Sequence, residues 1–129
     1  MSPQEVALPV LDHVQMAAPA GCEEQARRFY GELLGLPELE KPEALRGRGG
    51  AWFALAGGAQ LHVGVAEPFV PALKAHPALR VAGVGALEQL AARLAGAGVA
   101  VVWDDELPGV GRFFTADPWG NRLEVLAVG

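Results

Sequence analysis

His13, His62, His76 and Glu124 are the residues of this chain whose types best suit a divalent metal, and they include every histidine present. His62 follows His13 by 49 positions and Glu124 follows His76 by 48, so the four fall into two pairs of nearly equal spacing. Imidazole nitrogens joined by a carboxylate oxygen suit a borderline ion such as zinc, nickel, iron, cobalt or manganese. Three neutral imidazoles and one carboxylate leave such an ion with net positive charge, which favours an anionic or enolate oxygen pair as its further ligand. Any one of these residues alone would be explained by a solvated strand face. The repeated pairing is what favours a site.

The elements around the pairs repeat as well. A helix-like stretch follows each leading histidine and ends in a glycine 22 positions on, Gly35 after His13 and Gly98 after His76, where glycine's left-handed conformation is favoured just past a helix end. Val10 to Met16 alternates, with Val10, Val14 and Met16 on one face and Leu11, His13 and Gln15 on the other. Ala26, Phe29, Tyr30, Leu33 and Leu34 then recur at helical spacing, predicting a helix from Glu23 to about Leu34. With a short strand near Glu38 to Leu45, and strands over Ala51 to Ala56 and Gln60 to Val65 joined at Gly57-Gly58, the first unit reads β-α-β-β-β. After a link holding Pro68 and Pro71 the order repeats: a strand at His76 to Val81, a helix carrying Leu87, Leu90 and Leu94, and strands over Val99 to Trp103, Gly111 to Thr115 and Asn121 to Ala127. Asp117-Pro118-Trp119-Gly120-Asn121 marks the last turn.

Side chains two apart on a strand share a face. Leu61, Val63 and Val65 therefore point away from His62, and Leu123, Val125 and Ala127 away from Glu124. If the apolar faces pack on the two helices, all four candidate ligands lie on the other side of the sheet, where curvature would gather them in a cup. Adjacent Trp52-Phe53 and Phe113-Phe114 must each send one ring to either side, so these four are candidate substrate contacts, and Arg80 is predicted on the His76 face. Asp104 to Gly109 reads as a solvated acidic loop beside the cup. Cys22, at the start of the first helix, has no matching base and reads as structural.

Composition sets the outer bounds. A chain of 129 residues, 51% hydrophobic, can bury one core, so 1–129 is expected to be a single domain with modules about 8–66 and 75–128. One cysteine rules out an intrachain disulfide framework and fits a reducing compartment. Apolar runs are too short for a membrane span, and Met1-Ser2-Pro3-Gln4-Glu5 lacks the basic start of a signal peptide. The expectation is a cytoplasmic protein without a membrane partner. A formal charge of −5 with scattered lysines and arginines carries no nucleic-acid footprint.

In its motifs the chain resembles the vicinal oxygen chelate superfamily of glyoxalases, fosfomycin-resistance thiol transferases, methylmalonyl-CoA epimerase, extradiol dioxygenases and bleomycin-binding proteins. The pieces that carry the resemblance are Leu11-Asp12-His13-Val14, Phe29-Tyr30 with Leu34-Gly35-Leu36, His76-Pro77-Ala78-Leu79-Arg80-Val81, and Asp117 to Glu124. It implies an α+β fold in which paired βαβββ modules form a half-open mixed barrel around a metal, with ligands on the first and fourth strands of each module. His13, His76 and Glu124 match the family's first, third and fourth ligand positions. The second is usually Glu in glyoxalases and Gln in the epimerase, and here it is His62.

That departure leaves Glu124 as the carboxylate able to move a proton, since a metal-bound imidazole is a poor base. The resemblance thus implies a metal-dependent enzyme of lyase or isomerase type that chelates two neighbouring oxygens of a small molecule. The alternative it leaves is a sequestering protein of the bleomycin-binding type, although such relatives tend to lack the ligand set. It also implies a homodimer, with each cup completed within one chain or between two.

Overall fold

The structure, a computed structural model, describes residues 7–128. The start Met1 to Glu5, read above for a leader, lies outside the described residues. The first module holds β1 (His13–Ala18), α1 (Glu23–Ala26), β2 (Glu38–Leu39), β3 (Ala51–Ala54) and β4 (Gln60–Val65). The second holds β5 (Ala78–Arg80), α2 (Val84–Gly96), β6 (Val102–Asp104), β7 (Val110–Ala116) and β8 (Arg122–Val128).

Each module makes one four-stranded sheet, ordered β1-β4-β3-β2 and β5-β8-β7-β6. In both, the first strand runs parallel to the fourth, and the remaining neighbours are antiparallel. The registers correspond. Gln15, His62 and Trp52 form one row of the first sheet, and Ala78, Glu124 and Phe114 form the matching row of the second. The duplication inferred from spacing is thus a duplication of strand order and row.

Several boundaries differ from the sequence reading. The strand expected near Glu38 to Leu45 is only Glu38–Leu39, where it pairs with Trp52 and Phe53, and Glu43–Arg48 winds as a 3-10 helix instead; β5 starts at Ala78 rather than His76, and the strand expected over Val99 to Trp103 lies at Val102–Asp104. β1 begins at His13 rather than Val10, because its partner β4 begins at Gln60 and the Asp12 carbonyl accepts the Gln60 N–H at 3.0 Å. Residues before Asp12 have no strand to pair with, and Leu8, Val10 and Leu11 are exposed. The first helix also winds wider than expected. Beyond Ala26 it continues as a π-wound stretch, Arg27–Leu33, after which the Leu34 N–H reaches back to the Phe29 carbonyl at 2.9 Å. It still buries Phe29, Tyr30 and Leu33.

Those rings meet Phe53 and Leu61 from the first sheet, and Leu87, Leu94, Phe113 and Leu123 from the second module, in one continuous core. Strand alternation puts Leu61 and Val63, and Leu123 and Val125, on that side. A buried carboxylate ties the modules together. Asp117 accepts from the Tyr30 hydroxyl at 2.8 Å and from Asn121 Nδ2 at 2.8 Å, while the same Nδ2 donates to the Ala17 carbonyl at 2.7 Å. The sheets remain separate ladders, giving the α+β, half-open form expected. No described helix is long and apolar enough to cross a membrane.

Candidate functional site

The cup faces of the sheets carry the candidate ligands as two pairs. In the second module, His76 Nε2 stands 3.2 Å from Glu124 Oε1. The other ring nitrogen, Nδ1, lies 2.9 Å from the Lys74 carbonyl oxygen. A carbonyl only accepts, so Nδ1 carries the proton, and in the neutral ring Nε2 is a bare lone pair. Two acceptors, an imidazole nitrogen and a carboxylate oxygen, then face each other. Either a proton or another cation must lie with them. Glu124 is nearly buried, and its second oxygen, Oε2, lies 3.6 Å from Arg112 Nη1.

The first module repeats half of this arrangement. His13 Nδ1 lies 2.8 Å from Asp12 Oδ2, an acceptor, which again leaves Nε2 as the free nitrogen. Anchoring one ring nitrogen to a backbone or carboxylate oxygen is how metal-binding histidines are commonly oriented.

His62 is held differently. Its Nε2 lies 2.8 Å from Gln60 Oε1, and its ring is sandwiched between Trp52, parallel at 3.8 Å, and His13, stacked at 4.4 Å. Burial holds its pKa below the ordinary imidazole range, the neighbouring His13 adds to this, and Asp12 partly offsets it. The ring therefore favours the neutral, ligand-competent form.

The donor types and free lone pairs fit a borderline divalent ion. The two pairs do not meet within one chain, because among the described residues no three His, Cys, Asp or Glu side chains are grouped closely enough to hold an ion.

Of the four rings named from sequence, Trp52 and Phe114 face the cup, whereas Phe53 and Phe113 are wholly buried in the core. The last two are therefore corrected to structural residues: alternation sends their side chains toward the helices. Arg80 ends β5 and is exposed. The cation paired with Glu124 comes instead from β7, Arg112 at 3.6 Å. Arg112 is paired with Asp104 at 3.1 Å, and the Arg122 guanidinium lies 4.1 Å from the centre of the Phe114 ring.

Cys22 is buried, and its thiol is pushed up to about 11, first by burial and then by the adjacent Glu23 carboxylate, so it is not a nucleophile near neutrality. Sequence reading missed Gln60, and it could not single out Arg112 from Arg46, Arg48, Arg80 and Arg122 as a cation for the site. Gln60 was legible in hindsight, since it sits two residues before His62 on the same face, but Arg112 depends on the β7–β8 register.

Comparison with curated proteins returned no match. The model of the Glyoxalase/Bleomycin resistance protein/Dioxygenase superfamily matches residues 11–125. Among solved structures, one described as a glyoxalase family protein from Bacillus anthracis is 43% identical, with a TM-score of 0.90, covering 98% of this chain and 100% of its own. A lactoylglutathione lyase from Agrobacterium tumefaciens shares the fold at 17% identity and a TM-score of 0.70, over 92% of each chain. A genomically encoded fosfomycin resistance protein from Listeria monocytogenes does so at 14% and 0.73, over 95% of this chain and 96% of its own. With the family model spanning nearly the whole chain, this protein belongs to the Glyoxalase/Bleomycin resistance protein/Dioxygenase superfamily.

Proposed function

We propose that the protein is a metal-dependent enzyme of lyase or isomerase type, acting on a small molecule with two neighbouring oxygens. The observation that carries this reading is the pair of facing acceptors, His76 Nε2 and Glu124 Oε1, 3.2 Å apart with the proton of His76 committed to the Lys74 carbonyl. His13, His76 and Glu124 offer the open donors, and His62 joins them by exchanging Gln60 for the ion. Because the pairs stand apart in one chain, a homodimer in which His13 and His62 of one copy meet His76 and Glu124 of the other would complete each site.

A bound divalent ion would supply Lewis-acid stabilisation of negative charge developing on substrate oxygens. The chain's own residues do the rest. Glu124 is the carboxylate placed to take a proton from substrate and return it, with Arg112 Nη1 standing 3.6 Å from its Oε2. The Trp52–His62–His13 stack makes a flat wall that fixes orientation and sheds water. The same stack favours a second reading, sequestration of a flat antibiotic-like molecule without turnover.

Elemental analysis of protein purified without chelator separates the two. Near one equivalent of a transition metal per chain, lost in His76→Ala, is expected for the enzyme. No metal in wild type, even after reloading, would leave the sequestering role.

A further inference from the structure

Phe114, on the cup face of the second sheet, is bracketed by two guanidinium groups, with Arg122 at 4.1 Å and Arg112 at 5.1 Å from the ring centre. They are not equivalent. Arg112 is neutralised, with Asp104 at 3.1 Å and Glu124 at 3.6 Å. Arg122 has no carboxylate within ion-pair distance among the described residues, although it is half-buried with its guanidinium over an aromatic ring. A guanidinium bound to a ring through its π face uses none of its N–H groups for that contact, and its planar fork matches the two oxygens of a carboxylate or phosphate group.

The duplicated fold supplies an internal comparison. Gln60, two residues before His62 on β4, holds the place that Arg122 holds two residues before Glu124 on β8. The first module builds the same strand with a neutral residue that bonds its own histidine. The positive charge at 122 is therefore not required by the architecture.

We propose that Arg122, seated on Phe114, is an anion subsite: it binds a carboxylate, phosphate or phosphonate group of the substrate whose neighbouring oxygens are held at His76 and Glu124. This rests on the functional reading above and narrows it to an anionic substrate. Residues two apart on a strand are separated by about 7 Å. The subsite thus selects small molecules whose anionic group lies a few bonds from the oxygen pair, and it disfavours their neutral esters and amides.

The probes are acetate and inorganic phosphate, titrated into chelator-treated protein while the arginine side-chain N–H resonances are followed by NMR. Saturable shifts at Arg122 are expected in wild type. Arg122→Gln should weaken binding about tenfold or more, as loss of a charge-assisted fork implies. Phe114→Leu should weaken it several-fold with the charge retained, and Arg80→Gln should leave it unchanged. Whichever probe binds more tightly identifies the anion class. No saturable shift in wild type, equal binding by Arg122→Gln, or loss in Arg80→Gln would overturn the proposal. Because the titration is run without metal, an absent metal site and an absent anion site give separate results; Arg122→Gln should keep the wild-type metal content.

Discussion

Replacing Tyr30 by Phe removes one oxygen atom from the centre of the molecule and tests whether a buried carboxylate joins the two modules. Tyr30 is wholly buried, and its hydroxyl donates to Asp117 Oδ2 at 2.8 Å. Burial, and then the charge of Asp117, push the phenol well above its ordinary range, so it remains a donor. Asp117 keeps the Trp119 N–H at 3.1 Å, the Asn121 N–H at 2.9 Å and Asn121 Nδ2 at 2.8 Å. The loss is therefore that of one hydrogen bond to a charged group, about 2 kcal/mol, without a bare buried charge. At a urea dependence of roughly 2 kcal/mol/M, the unfolding midpoint should fall by about 1 M with unchanged slope. A loss below about 0.5 kcal/mol would refute the link. A changed slope or two separate transitions would show that the modules unfold independently.

Three further substitutions probe how the first sheet is held beside the site. Gly50 has φ +83°, and a Cβ there would stand 2.0 Å from the Val63 carbonyl oxygen, so Gly50→Ala should cost at least about 2 kcal/mol in thermal unfolding. Gly64→Ala, where the clash is only with the flexible end of Gln15, should cost clearly less, and equal losses would contradict the packing reading. The Gly50 N–H also donates to Glu23 at 2.8 Å and holds that carboxyl below its ordinary value of 4.5, against the opposing effect of burial. With a depressed folded pKa, Glu23 contributes its stability above that ordinary value and loses it as pH falls through the folded one. Urea midpoints between pH 7 and 3 should therefore fall less steeply in Glu23→Gln than in wild type. Parallel curves would rule out this contribution.

Much of the fold was legible because the signals are local. Alternation marks β4 and the first half of β8, and the three-four spacing of Phe29, Tyr30 and Leu33 marks the first helix, even though its winding widens. The start of β1 was not legible, since Val10 and Leu11 continue the alternating pattern while the partner strand ends the ladder at His13. The ligand pairs could be read because duplication printed them twice. Whether the pairs meet depends on how the modules pack through Tyr30, Asp117 and Asn121, contacts between residues 87 or more positions apart or across the last turn. For the same reason Trp52 and Phe53 could be assigned to opposite faces but not to cup and core. The hairpin register that places Trp52 against His62 decides it.

The central claim is that the metal site is completed between two copies, and complementation tests it most directly. His13→Ala and Glu124→Ala chains carrying different tags are co-expressed, mixed dimers are isolated, and their metal content is measured. In a two-fold dimer with shared sites, one site carries both lesions and the other none, so the mixed dimer should hold roughly half the wild-type metal while either homodimer holds almost none. A mixed dimer as empty as its parents, beside a fully loaded wild type, would contradict the shared site.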